Sequence, residues 1–294
     1  RLELLRDEVL RRAWLPIAGL RDFQKFLSEA RDTRRELLIR ARAALETLGT
    51  TMRAASETPL NREIGPHRRF DWLTTEIADV KEIRKALGGS LNDVVLTVVT
   101  GALRRFLTRR QVDPSRLEFR ILTPVSVRGK GEQGGLGNRV SAWVFELPLG
   151  EPDPRRQLAA ISKRTAELKE SRQAVGAEIL TQVAEWTPST LLALGARNVT
   201  RLLPFNMVVT NVPGPQVPMY MLGARMQAVY PHVPLADHLG LGVALLSYHG
   251  RLHWGMNADY DLVPDLHEFV LAVEAAFTEL LVLARGPTPE GAEG

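Results

Sequence analysis

Residues 239–258 read LGLGVALLSYHGRLHWGMNA, two apolar runs joined by His249-Gly250. A two-residue connection ending in glycine between such runs predicts a β-hairpin with a tight turn. Upstream of it the pattern past Pro59 alternates strands and helices. Residues 70–77 read as a strand and 79–87 as a short helix stopped by Gly88-Gly89. Ser90 or Asn92 can cap the next helix, which reaches about Arg109 with Val95, Leu96, Val99, Leu103 and Phe106 inward. Further strands are expected over 117–126, 140–147, 205–211 and 224–233, and helices over 155–171, 175–186, 188–200 and 263–283. A tight antiparallel hairpin combined with helical crossovers implies an α/β fold, a mixed β-sheet flanked by helices.

The segment before Pro59 has a different texture. Leu2, Leu5, Val9 and Leu10 recur at helical spacing, as do Leu20, Phe23, Phe26 and Leu27, and then Leu37, Leu38, Ala41, Leu45 and Leu48. Glu57-Thr58-Pro59 stops the last of these helices. The domain reading is therefore a helical segment over 1–58, an α/β domain over 59–285, and a low-complexity, disordered tail over 286–294. The chain begins at Arg1 rather than Met, so an upstream stretch is expected to have been removed.

Residues 1–56 hold 12 of the 38 Lys+Arg and 8 of the 34 Asp+Glu, so the whole net charge of +4 resides there. A solvated helix face and an attraction to anionic lipid headgroups or other phosphates both account for it. The charges are mixed in sign and carry no recognition motif, so no nucleic-acid partner is expected. The chain has no cysteine, which excludes disulfides, a thiol nucleophile and thiolate metal sites.

Six histidines are the available general bases. His67 and Asp71 have His-x-x-x-Asp spacing, but Pro66 precedes and Trp72 follows them. His249 and His253 have i,i+4 spacing, yet they straddle a hairpin turn, so no metal site is expected. Ser126, in Pro124-Val-Ser-Val-Arg128, lacks the flanking glycines of a nucleophile elbow. Asn92-Asp93 opens a helix: it either caps that helix or aims donors at developing negative charge. Asn211-Val212-Pro213-Gly214-Pro215 is a rigid string after a strand, read as a crossover that latches two subdomains. The loop 128–139 is glycine-rich with basic residues at Arg128, Lys130 and Arg139, and it suits either solvent or a phosphate-bearing tail such as that of CoA.

Taken in order, Pro59-Leu60-Asn61, Ile64-Gly65-Pro66-His67-Arg68-Arg69, Asn92-Asp93, Pro124-Val-Ser-Val-Arg128, Asn211-Val-Pro-Gly-Pro215 and Ser247-Tyr-His-Gly-Arg-Leu-His-Trp-Gly255 form a set. It resembles the carboxy-terminal half of the bacterial wax ester synthase/diacylglycerol acyltransferase family. That family is similar in architecture to chloramphenicol acetyltransferase and to condensation domains, with two α/β halves facing across a tunnel. The resemblance implies transfer of an acyl group from acyl-CoA, as co-substrate and without a bound cofactor, to diacylglycerol or a long-chain alcohol. The family's His-His-x-x-x-Asp-Gly run is absent from the 294 residues. The expectation is therefore that the general-base histidine lies on a missing amino-terminal half, that this half is a required partner, and that this chain alone is inactive.

The resemblance further implies that Asn92 supports the oxyanion or base and that Asp93 anchors it. Arg68, Arg69, Ser126, Arg128 and Asn138 become candidates for the substrate or CoA side, and Asn211, Pro213, Gly214 and Pro215 for the latch. A cytoplasmic location, peripheral to the inner membrane or lipid droplets, is expected. Two other readings stay open: a non-catalytic lipid-binding module, and a condensation-type enzyme using a carrier-protein thioester.

Overall fold

The computed structural model describes residues 55–126, 140–170 and 204–286. These belong to the second of two compact units, Arg53–Gly294. The helical stripes of residues 1–54, the helices expected over 175–186 and 188–200, the glycine-rich loop and most of the tail lie outside the described residues.

The elements are β1 (Arg68–Glu76), α1 (Ile77–Leu87), α2 (Leu91–Arg109), β2 (Arg120–Ser126), β3 (Val140–Glu146), α3 (Pro154–Glu170), β4 (Met207–Pro213), β5 (Tyr220–Met221), β6 (Ala224–Arg225), β7 (Leu241–Tyr248), β8 (Arg251–Asp259) and α4 (Leu266–Arg285). Six strands form one sheet in the order β1-β8-β7-β4-β2-β3, with β5 and β6 as a separate two-stranded ribbon. β4 runs parallel to both β7 and β2, whereas β1–β8, β7–β8 and β2–β3 are antiparallel. The expected class, an α/β fold with a mixed sheet flanked by helices, is what the chain adopts.

The β7–β8 hairpin turns where the sequence places it. His249 (φ 45°) and Gly250 (φ 83°) are both left-handed, the geometry that matches a tight turn to the twist of its strands. Along β7 and β8, one set of alternate side chains packs beneath the helices. Val243, Leu245, Leu252, Trp254 and Met256 join Met207 and Val209 of β4 in that core. The valine-rich α2 lies in the same layer with Val94, Val95, Leu96, Val98, Val99, Leu103 and Phe106 buried. So many β-branched residues disfavour an isolated helix, and burial at about 1.5–3 kcal/mol per large side chain overrides that preference. α4 crosses α2 closely: a Cβ added at Gly101 would stand 3.1 Å from that of Ala276.

The other face of the sheet is covered differently. Residues 226–236 cross it with no ladder pairing, where the sequence predicts a strand over 224–233; only Ala224–Arg225 is a strand, paired with Tyr220–Met221. Pro231 and Pro234 lack the N–H that edge pairing needs, so this segment packs on the face instead. Its Pro231 carbonyl rests on Gly255, where a Cβ would collide with the oxygen. Asn257 Nδ2 donates to Val233 O at 2.6 Å.

β4 also differs from expectation, running to Pro213 rather than stopping at Asn211. It meets β2 only at the pairs Ile121–Met207 and Leu122–Val208, but stays beside β7 as far as Pro213–Ser247. Beyond Val208 one edge of β4 has left the ladder, so a proline is tolerated there.

Candidate functional site

The parallel strands β2, β4 and β7 end together at Ser126, Pro213 and Tyr248. Open α/β sheets place their ligands outside the carboxyl ends of such strands. α2 begins at this end. Its other terminus is held near the finish of β8 by Arg110 Nη1 donating to Leu262 O at 3.0 Å, and a helix of 19 residues spans about 28 Å.

The start of α2 is a capping box. Ser90 is the N-cap: its Oγ accepts from Asp93 N (3.2 Å), while Asp93 Oδ2 accepts from Ser90 N (2.7 Å). The second oxygen of Asp93 accepts from Thr165 Oγ1 on α3 at 2.8 Å. Asp93 is 3% exposed, and its two oxygens are committed, one to the start of α2 and one to α3. Asn92, one residue earlier in the same turn, is half-buried, and among the described residues its side-chain amide has no partner. Among the described residues it is one of two unpartnered polar groups at this helix start, the other being the buried Ser162 Oγ beside Gly89.

The string 211–215 is fastened to the β7–β8 hairpin. Gly214 N donates to Ser247 Oγ at 3.0 Å and His249 N to Pro215 O at 3.2 Å. Gln216 completes the join, donating to Ser247 Oγ (3.1 Å) and accepting from Gly250 N (3.1 Å). Gly214 lies so close to Ser247 O that no Cβ fits between them.

Not every candidate converges here. Arg68 and Arg69 start β1, at the opposite end of the sheet. Arg68 Nη1 donates to Gly65 O (2.5 Å) and His67 O (2.8 Å) and pairs with the buried carboxylate of Asp259 (3.4 Å). Arg69 donates to Tyr260 O at 3.2 Å and lies 3.7 Å over its ring. Asn61 of Pro-Leu-Asn is at that end too, donating to Asn206 O (2.8 Å) and His238 O (2.7 Å). Ser126 closes β2 opposite Val140. Arg128 and Asn138 lie outside the described residues. His67 and Asp71 do not pair; Asp71 Oδ2 meets His267 Nδ1 at 2.7 Å on the exposed start of α4.

His253 is a group whose setting sequence reasoning missed. Alternation along β8 places it on the face crossed by residues 226–236, where it is 1% exposed. Nδ1 lies 3.2 Å from Thr74 Oγ1, the rings of Tyr230 and Tyr248 pack against it, and Nε2 has no partner. Burial pushes its pKa below the ordinary 6.5, with the Arg251 charge adding to the shift and Glu76 opposing it. The unfolded chain thus binds a proton that the folded chain refuses, between that lowered value and 6.5. Stability should fall as pH drops through this window, read as the urea midpoint from about pH 7 to about pH 5. His253→Asn should flatten the decline; parallel curves for the two proteins would assign it elsewhere.

The sheet order and helix layer define a mixed α/β fold. In fold the chain is similar to a wax ester synthase/diacylglycerol acyltransferase from Marinobacter aquaeolei VT8, with a TM-score of 0.65 and 24% identity over 87% of this chain and 57% of that one. It is also similar to a structure describing condensation domain-mediated chain release from the enacyloxin polyketide synthase, with a TM-score of 0.52 and 14% identity over 89% and 49%.

In sequence, residues 4–95 match the model of the wax ester synthase/diacylglycerol acyltransferase catalytic domain, and residues 136–281 match that of the WS/DGAT C-terminal domain. The chain belongs to the wax ester synthase/diacylglycerol acyltransferase family. A Mycobacterium tuberculosis (strain CDC 1551) protein bearing the name diacylglycerol O-acyltransferase is 32% identical over 263 residues, 86% of this chain and 51% of that protein. Another of that name from strain H37Rv, tgs1, is 29% identical over 250 residues, 84% and 54%. The chain thus spans about half the length of the curated relatives it matches.

The catalytic-domain match corrects the expectation of a carboxy-terminal half alone. It runs through the capping box of α2, past the stop at Pro59 taken as the start of recognisable family sequence. The catalytic domain is therefore not confined to a missing amino-terminal half, and a separate half is not a required partner. The inference that this chain alone is inactive falls with them. The physical reason is that a domain is a packed body rather than its signature. Residues 4–95 match that model although the 294 residues hold no His-His-x-x-x-Asp-Gly run.

Proposed function

We propose that the protein is an acyl-CoA-dependent O-acyltransferase that esterifies diacylglycerol or a long-chain alcohol to triacylglycerol or wax ester. The observation that carries this reading is the ordered match to both family domains over residues 4–95 and 136–281. In such a transfer the acceptor hydroxyl attacks the thioester carbonyl, a base takes its proton, and the CoA thiolate leaves from a tetrahedral oxyanion. Asn92 is our candidate to donate to that oxyanion, because its amide is unengaged beside the free N–H groups of the first turn of α2. Asp93 positions Asn92 through the capping box. The string 211–215 serves as the latch that fixes the neighbouring strand ends.

Among the described residues no single helix is long and apolar enough to cross a membrane; α1 and α2 qualify only as a pair, meeting at 95°. We place the protein peripherally at a membrane or lipid-droplet surface, because its acceptors are water-insoluble and the basic excess lies in residues 1–56.

The test is release of CoA thiol from palmitoyl-CoA, with and without hexadecanol or dipalmitoylglycerol, and identification of the ester by mass spectrometry. Acceptor-dependent release with matching ester is the expected result. Ester formation only from a carrier-protein thioester would replace acyl-CoA in this reading. No ester from either donor would overturn it.

A further inference from the structure

A cavity of about 320 Å³ opens at the carboxyl end of the parallel strands, where β1 and β7 finish, β8 starts, and the chain leaves β6. We propose that it binds a phosphate ester. Two guanidinium groups line it, from Arg225 and Arg251, against the single carboxylate of Glu76. Arg225 Nη2 lies 2.7 Å from His249 Nε2, and a guanidinium nitrogen can only donate, so that imidazole nitrogen accepts. Arg251 Nε donates to Glu76 Oε1 at 3.1 Å.

Among the described residues these are the side-chain partners of the two arginines, and each guanidinium has about five N–H donors. Most of the donor capacity in the cavity is therefore unspent and carries an excess of positive charge. Planar forks of this kind match the oxygens of a phosphate, and a compact anion suits the size of the space. Gln227 lines it as well, whereas the Tyr248 hydroxyl is committed to Met219 N and Met226 O. The turn His249-Gly250 and the Gln216 bond to Gly250 fix one side, so the site is built on the latch rather than on a loose loop.

Two sources present this chemistry: a soluble phosphate ester such as the 3′-phosphate of CoA, which rests on the acyl-CoA reading above, and the headgroup of an anionic phospholipid. Calorimetric titration with inorganic phosphate, CoA and dephospho-CoA, and flotation with phosphatidylglycerol or phosphatidylcholine vesicles, separate them. The protein is compared with Arg225→Ala, Arg251→Ala, Arg251→Lys and Glu76→Gln. Losing either arginine should weaken the phosphate-bearing probe about 10- to 100-fold, with Arg251→Lys between. Glu76→Gln should tighten it several-fold, a gain that misfolding cannot imitate.

A change for CoA but not dephospho-CoA identifies the soluble ester. A change confined to phosphatidylglycerol vesicles identifies the headgroup. Binding of every probe unaltered by all four substitutions would overturn the site. These readouts need no turnover, so phosphate binding that survives while no ester forms would count against the acyltransferase reading alone.

Discussion

Replacing Gly255 by Val should be the most damaging single change in the sheet, removing at least about 3 kcal/mol of stability. Gly255 sits in the middle of β8, and a Cβ there would enter the space of the Pro231 carbonyl oxygen, with the Phe70 ring 3.2 Å away on another side. The obstacle is backbone, so no rotamer change relieves it; the crossing segment itself must lift. Lifting it exposes His253, Tyr230 and the Asn257–Val233 bond together. Gly255→Ala should cost nearly as much, since the first carbon already collides. Gly250 is the control: it has φ 83° but nothing within 4 Å of a built Cβ. Gly250→Ala should therefore lose only about 1 kcal/mol, from backbone strain. Equal urea midpoints for the Gly255 and Gly250 variants would refute the close approach.

Asp93→Ala should cost about 2–3 kcal/mol, because it removes the charged acceptor of a part-buried backbone donor and of a buried hydroxyl together. Ser90 N loses its acceptor, Thr165 Oγ1 is left with the Ser162 carbonyl at 3.1 Å, and the first turn of α2 loses a negative charge at its positive end. Asp93→Asn keeps one acceptor oxygen and should lose less. A double-mutant cycle with Thr165→Val should give a coupling of about 1–2 kcal/mol if the α2–α3 contact is as described; additive effects would contradict it. The same variants separate anchoring from chemistry. If Asp93→Asn retains wild-type stability yet abolishes ester formation, the carboxylate acts on the reaction and the positioning role assigned to it is wrong.

Local signals in the sequence carried the elements whose causes are local. Gly250 after His249 announces a turn because both positions need left-handed backbone. Ser90 with Asp93 three residues on announces a helix start because the two groups satisfy each other across one turn. Residues 224–233 misled because alternation reports which side chains share a face. It does not say whether that face is reached by edge pairing or by lying across another sheet. Pro231 and Pro234 carried the correct signal.

Arg68 and Arg69 are named for the substrate or CoA side by the family resemblance alone. Their partners, Asp259 and Tyr260, lie 191 positions away, beyond any local pattern. His253 was visible as a histidine on a strand, but its burial depends on Tyr230 arriving from the crossing segment. The catalytic-domain body went unseen for a related reason: helical stripes are generic, and only comparison over many positions distinguishes one family's stripes from another's.

The placement of β1 beside β8 has a consequence for synthesis. Glu76 and its ladder neighbour Arg251 are 175 residues apart. At translation rates of about 5–20 residues per second, β1 waits on the order of 10–35 seconds for its partner to leave the ribosome. Throughout that interval the backbone groups of β1 have no ladder partner, because β8 is its one neighbour among the described strands. The nascent chain is therefore a natural client for a holding chaperone, and the last strand made determines when the first can fold.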